Sequence, residues 1–319
     1  MMTLIRDKPL AENPGKTEAR NNFMQAVRRV SLLLLILAGG CVRNTGTIEE
    51  HRSAVSGKLH VAVDKPLDAA VRAQTGIFRA HYPEASFTVE PDISGKTLLA
   101  LLKGKADAVL INGSTTPAED SLLADPKRPG RKEAVARDAI ICIVNRNCPA
   151  DSITVDRIVT MLSGQNYAAL PLVPWITRND YRLLTTLRHI LKTSGKPLHA
   201  MQTDSDSLLA VKVASDPRAA GLLYLSALKT LSLPDSIGNR IRILPASGTG
   251  EHASRAILPS EQALFDGSYP LATVVYYIYL PGDPLAAGFG SWLSKEGQKG
   301  FERSYLAPFR QMPRTIILK

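Results

Sequence analysis

Cysteine is scarce in this sequence, with three residues at 41, 142 and 148, and no pair has CxxC spacing. The six histidines, at 51, 60, 81, 189, 199 and 252, are scattered, so a Cys/His metal centre has no support and no cofactor is implied. Neither a Gly-x-Ser-x-Gly elbow nor a His-Glu-x-x-His helix occurs. The single Ser-x-x-Lys, Ser226-Ala227-Leu228-Lys229, lacks the Ser-Asp-Asn and Lys-Thr-Gly partners that would make it catalytic. Gly248-Thr249-Gly250-Glu251-His252 lacks the Lys-Ser/Thr ending of a phosphate loop and reads as a surface loop. An enzyme is therefore not expected. No internal repeat or low-complexity tract is present, and no apolar run reaches the roughly 20 residues that a bilayer-spanning helix needs.

The first forty residues are the most distinctive. Arg28-Arg29 precede the short apolar run Ser31-Leu32-Leu33-Leu34-Leu35-Ile36-Leu37, and Ala38-Gly39-Gly40 stand directly before Cys41. A basic flank, a short apolar core and a small-residue exit make a signal peptide. With cysteine at the exit, the pattern is a lipobox whose thiol takes diacylglycerol, with palmitate among the acyl chains. We expect cleavage before Cys41, which then holds the protein to a membrane. Residues 1–23 are polar and of mixed charge, and Met24 stands where a signal peptide of ordinary length would begin, which points to a start codon set too far upstream. Val42 replaces the Asp that retains some lipoproteins at the inner membrane, so the reading leans to the periplasmic side of the envelope at the outer membrane.

Residues 1–40 carry six basic and three acidic side chains, which leaves 33 Lys and Arg against 26 Asp and Glu, a net charge of +7. The densest basic group, Lys127-Arg128-Pro129-Gly130-Arg131-Lys132, is broken by a Pro-Gly turn and has no aromatic interleaving, so nucleic acid is a poor partner. About 280 residues remain, enough for a large core in one or two domains. Cys142 and Cys148 would lie in a disulfide-permissive compartment and are either a pair or two buried thiols. Residues 140–144 read as a buried strand, and six extended residues span roughly 20 Å, so bridging requires the Asn145-Arg146-Asn147 turn to fold the chain back.

Residues 41–56 read as a polar tether. From residue 57, strands are expected at 59–63, 87–89 and 106–111, with helices at 67–81 and 96–104 between them. Such β-α-β-α-β alternation implies a parallel sheet covered by helices, with ligands beyond the strands' carboxyl ends. Downstream, strands are expected at 139–145, 221–224 and 273–279, and helices at 155–162, 183–193, 205–215 and 288–305. A loop-rich stretch runs from 225 to 267.

Four patterns then follow in one order. They are the helix from Ile153-Thr154-Val155-Asp156 to Ser163-Gly164, the turn and strand Ser215-Asp216-Pro217-Arg218-Ala219-Ala220-Gly221-Leu222-Leu223-Tyr224, the turn Asp266-Gly267-Ser268-Tyr269-Pro270-Leu271, and Ser294-Lys295-Glu296-Gly297-Gln298. Together they resemble the phosphate-binding subunits of ABC transporters, within the two-lobed periplasmic binding proteins of the phosphate and molybdate type. The resemblance implies a type II α/β fold in which each lobe is a mostly parallel sheet flanked by helices. Lobe one would hold residues 57–138 and 272–319, lobe two residues 139–271, and strands 139–145 and 273–279 would cross between them. It also implies a monomer that delivers phosphate or a similar oxyanion to an ABC permease, with the dehydrated anion held by backbone amides, hydroxyls, an Arg and an acid.

Matching positions give the candidate ligand residues. Asp64 follows the first strand and reads first as a helix cap, second as the acid. Ser114, Thr115 and Thr116 form the hydroxyl-bearing turn after the third strand, as ligands or as a capping turn for Ala118-Glu119-Asp120. The family's Arg with a following Ser-Gly-Thr would fall at Trp175-Ile176-Thr177-Arg178-Asn179-Asp180-Tyr181-Arg182, where the triplet is absent, so either Arg178 or Arg182 is the cation. That absence motivates an alternative: a binding-protein-like lipoprotein with changed specificity, acting as an envelope sensor or interaction protein.

Overall fold

The structure, a computed structural model, describes residues 52–93, 95–165, 172–178, 180–192, 197–249 and 255–310. The signal segment, Cys41 and most of the tether lie outside these residues. So do 193–196, where the sequence places a helix end, and residues 250–252 of the Gly-Thr-Gly-Glu-His stretch.

The chain begins as β1 (Gly57–Asp64), whose last four residues are all buried. A 3-10 turn, Lys65–Leu67, takes Pro66 at a position that needs no N–H donor. It leads into α1 (Asp68–His81), β2 (Ala85–Asp92), α2 (Thr97–Leu102), β3 (Ala108–Asn112) and α3 (Pro117–Leu123). Then comes β4 (Arg131–Asn145), at 15 residues far longer than the 139–145 read from apolar content. Its first half escapes that reading because charged Arg131, Lys132, Glu133, Arg137 and Asp138 are interleaved with small and branched apolar residues.

Beyond the turn at 145–148 come β5 (Ile153–Thr154), α4 (Val155–Leu162), β6 (Val173–Thr177), α5 (Tyr181–Ile190), β7 (Met201–Thr203), α6 (Asp206–Ser215) and β8 (Ala219–Tyr224). Thr154 caps α4 and Ser205 caps α6, each through its hydroxyl, and Gly164 at φ +78° closes α4's turn. The described residues of the stretch expected to be loop-rich carry five short elements: α7 (Leu225–Thr230), α8 (Asp235–Gly238), β9 (Ile241–Ile243), β10 (Ala246–Ser247) and α9 (Glu261–Phe265). β11 (Ala272–Tyr279), α10 (Pro284–Leu293), α11 (Gln298–Phe301) and β12 (Ala307–Pro308) complete the described chain.

The helix expected over 288–305 is two helices. α10 starts earlier, at a Pro capped by Asp283, and ends at Leu293, where Trp292 carbonyl accepts from both Lys295 and Gly297. Gln298 is fully buried and donates to the carbonyls of Leu293 and Val135, so a tertiary anchor on β4 breaks the helical run.

One sheet runs β2-β1-β3-β11-β4-β8-β6-β7. Within β2-β1-β3 and within β8-β6-β7 neighbours are parallel, whereas β11 and β4 run antiparallel to theirs. Residues 131–139 of β4 pair with β11 and residues 140–144 pair with β8, so β4 belongs to two halves of the sheet. Among the described residues, β11 itself pairs with β3 and the first part of β4. The second link between the halves is made just before it, where Leu271 carbonyl accepts from Ile140 and Tyr269 hydroxyl donates to Ile140 carbonyl.

Each half has its own core. Around the first, α1 and α10 pack Phe78, Phe289 and Trp292 against Tyr277 of β11, with Phe78 and Phe289 edge to face at 5.3 Å. The opposite face of that half is covered by Leu98, Leu101 and Leu123 from α2 and α3. The second half is aliphatic, built on Ile141 and Ile143 of β4, Leu222 and Leu223 of β8, and Leu183, Leu187, Leu209 and Val213 from α5 and α6.

The two remaining cysteines fall in this second core as free, buried thiols, which corrects the possible disulfide. β4 stays extended through Asn145, and the turn that follows ties Cys148 N–H to Asn145 carbonyl, which leaves Cys148 near Cys142 with no bond between the two thiols. Burial, and then the neighbouring Cys148, push the Cys142 thiol up to about 12.

Candidate functional site

The carboxyl ends of β1, β3 and β8 meet at the boundary between the halves, and the side chains there are polar although almost wholly buried. Asn112, the last residue of β3, is the centre. Its amide nitrogen donates to Asp138 on β4 at 2.5 Å, and its side-chain oxygen accepts from Thr273 hydroxyl on β11 at 3.1 Å. Its backbone N–H donates to Asp64 at 2.8 Å, and its carbonyl accepts from Tyr224 hydroxyl on β8 at 2.9 Å. A residue ending a buried strand has backbone groups that the sheet no longer satisfies, and here both halves supply partners.

Asp64 is buried, and its carboxylate also accepts from Thr97 hydroxyl at the start of α2, at 2.7 Å. It makes no side-chain cap to the 3-10 turn that follows, so the capping role read first from the sequence is overturned. The parallel register of β1 and β3 directs the side chain sideways, to the end of the neighbouring strand. Burial raises the Asp64 pKa, against the opposing charge of Arg182 and the two hydrogen bonds. Asp138 is equally buried and accepts from Ala139 and Ser226 backbone N–H groups; burial raises its pKa as well.

Arg182, in the first turn of α5, has a fully buried side chain. Its guanidinium forks onto both carboxylate oxygens of Glu119 at 2.9 and 3.0 Å and donates to Ser114 carbonyl at 2.9 Å. This reaches from the second half to the turn after β3 in the first. Burial opposes the charge, but the bonds to Glu119 and the charges of Asp64 and Glu119 outweigh it and raise the Arg182 pKa. Glu119 shows the mirror image: desolvation pulls upward, Arg182 and Thr116 pull harder, and its pKa ends below the ordinary carboxylate range.

The turn that carries Ser114 is fixed by Gly113 at φ +97°. A Cβ there would lie 2.1 Å from Thr186 hydroxyl and 2.7 Å from Tyr224 hydroxyl, so both the conformation and the close approach require glycine. Ser114 backbone N–H donates to Thr186 hydroxyl, a further bond across the boundary. The two threonines are spent locally. Thr116 closes a capping box with Glu119, and Thr115 hydroxyl, which donates to Asp120, accepts from Lys132.

Of the candidate residues, Asp64, Ser114 and Arg182 thus converge at the boundary. Thr115 and Thr116 flank it with their hydroxyls engaged, and Arg178 stands apart, over half exposed, with Nε 3.5 Å from Asp204. Sequence reasoning missed Asn112, Asp138, Thr186, Tyr224 and the pairing role of Glu119. Two signals were available, an Asp inside a strand otherwise rich in apolar residues and the Thr-Pro-Ala-Glu capping box. Neither says which distant residue will face it.

Beside this cluster the boundary opens into a groove of about 810 Å³ between α2 and α3 on one side and the start of α5 on the other. Among the described residues, no group of three or more His, Cys, Asp and Glu side chains is placed to hold a metal ion, and no helix is long and apolar enough to cross a membrane.

A family profile described as a PBP superfamily domain matches residues 49–296. No curated protein sequence matches the chain. Solved structures with a similar fold include a candidate phosphate ABC transporter substrate-binding protein from Clostridium perfringens with bound phosphate, at 14% identity and a TM-score of 0.62, covering 80% of this chain and 100% of that one. An ABC-type phosphate transport receptor from Vibrio cholerae is similar at 14% identity and TM-score 0.62, over 79% of this chain and 100% of that one. PstS from Borrelia burgdorferi is similar at 13% identity and TM-score 0.54, over 80% and 100%.

Proposed function

The chain belongs to the PBP superfamily, and from that premise we propose that it is an extracytoplasmic solute-binding protein for phosphate or a similar small oxyanion. It binds and delivers its solute without making or breaking a bond, and an ABC permease receives it. Lipid on Cys41 holds it on the periplasmic side of the envelope, at the outer membrane, and it acts as a monomer. Structures of similar fold carry phosphate-transport descriptions, one of them with phosphate bound.

The observation that carries this reading is the buried guanidinium of Arg182, whose planar fork faces a carboxylate across the boundary between halves. A guanidinium removed from water needs an anion with two acceptor oxygens, a requirement that Glu119 meets here and an oxyanion meets equally well. In this reading the residues on either side of β4 and Leu271 form two lobes that part, the solute displaces Glu119 from Arg182, and the lobes close on it. Asp64 takes the acid's part: an acceptor for the proton that hydrogen phosphate retains and a fully ionised oxyanion lacks.

Equilibrium dialysis against labelled inorganic phosphate tests the binding. Saturable uptake at micromolar phosphate is expected, reduced at least tenfold in Arg182→Lys, which keeps the charge and loses the fork. Absence of saturable uptake by the wild-type protein overturns the phosphate reading. Labelling of cells with radioactive palmitate tests the anchor, which Cys41→Ser should leave unlabelled.

A further inference from the structure

The groove adjoins the Arg182 cluster, sharing Glu119 with it, and the fold gives no reason for the apolar part of its lining. α2 buries Leu98 and Leu101 in the core yet turns Leu99 outward, 44% exposed. On the same side lies Leu122 of α3, 59% exposed, and on the other Tyr181 of α5, 41% exposed, with Ile93, 49% exposed, also in the lining. None of these four side chains is needed to fill a core at that exposure, and the fold would be kept with polar residues in their place. An apolar lining gathered in one concavity marks a surface that something covers.

The charges in the groove say what kind of occupant it takes. Glu119 reaches its wall but is saturated by Arg182, and Arg178 is shared with Asp204. Lys96, at the start of α2, lines the groove, is exposed, and has no ion pair among the described residues. One uncompensated positive charge on an apolar trough of about 810 Å³ fits a ligand with one negative charge and an extended apolar body. We propose that the groove binds an amphipathic monoanion, a long-chain carboxylate, whose carboxylate pairs with Lys96 and whose chain lies on Leu99, Leu122 and Tyr181. Because the walls come from both halves, the occupant spans the boundary while leaving the Arg182–Glu119 pair in place.

The test is fluorescence titration of the full chain with cis-parinarate, a polyene fatty acid that emits when taken into an apolar site. Saturable uptake of one equivalent is expected. Leu99→Asp should weaken it at least tenfold, with an unchanged melting transition because the residue is exposed, and Lys96→Ala should weaken it about fivefold. A fatty alcohol of equal chain length, which has no charge to pair, should show the same inhibition constant with wild type and Lys96→Ala. No saturable uptake, or equal uptake by Leu99→Asp, overturns the proposal. So does a wild-type dimer in sedimentation that Leu99→Asp dissociates without any uptake of probe, because a second copy would then be the cover.

Discussion

Two stretches of the same boundary, a few residues apart, are built in opposite ways. Around Asn112 the halves meet through buried charged and polar groups, each with a named partner on the other side or the neighbouring strand. At the groove the halves present apolar side chains to water and leave Lys96 without an ion pair among the described residues. The difference teaches how each part responds to loss. A buried ion pair is costly to break, because the remaining partner stays desolvated and uncompensated, whereas an exposed leucine contributes little until a ligand removes it from water.

The largest effect that would sharpen this contrast is Arg182→Ala, which strands Glu119 and Ser114 carbonyl. It should lower the free energy of unfolding by about 3–5 kcal/mol in urea titrations. A loss below about 1 kcal/mol would put the pair on a par with exposed ion pairs and break the comparison. Gly113→Ala comes next. A left-handed residue costs about 1–2 kcal/mol and overpacking against Thr186 and Tyr224 about 1–3 more, so denaturant unfolding should show a loss of about 2–5 kcal/mol. Gly104, also at positive φ but with nothing within 4 Å of where a Cβ would stand, is the internal control. There, Gly104→Ala should cost only about 1–2 kcal/mol.

Asp138→Asn separates charge from hydrogen bonding. The raised pKa of Asp138 means that its contribution is most favourable when it is protonated, below the unfolded value of about 3.9, and is lost as pH rises through the folded value. Glu119 works the other way: its stabilisation is present above the unfolded value of about 4.3 and is lost as pH falls. Asn112 can reverse its amide, donating to Thr273 hydroxyl and accepting from the new side chain at 138. Asp138→Asn should therefore gain about 1–2 kcal/mol over wild type at pH 8, shrinking towards zero near pH 4 in melts followed across that range. The smallest change is expected in the groove, where Leu99→Asp should alter the unfolding free energy by no more than about 0.5 kcal/mol.

How far the sequence could be read follows the same division. The alternation from β1 to β3 was legible because apolar spacing reports which face of a local element is covered. The end of α4 at Ser163-Gly164 was legible because a helix stop depends on neighbours in sequence. β4 was read at half its length, since charged residues on its first part hide a strand whose partners, β11 and β12, lie over a hundred residues away. The helix near the end was read as unbroken because nothing local reveals that Gln298 must reach β4. In the site, Asp64 was found for its position after a strand and given the wrong first role, and the choice between Arg178 and Arg182 had no local criterion at all.

By itself the sequence determined the α/β alternation, the expectation of a lipid-bearing Cys41, and the set of candidate anion ligands. Each follows from residue type and short-range spacing. Only the tertiary structure decided that Arg182 faces Glu119 from 63 residues away, that Cys142 and Cys148 are buried as free thiols, and that Leu99, Leu122 and Tyr181 share a groove. Partner choice for a buried charge depends on which strand ends the sheet brings together. That order, with β11 inserted between β3 and β4, is set by long-range pairing that no local pattern encodes.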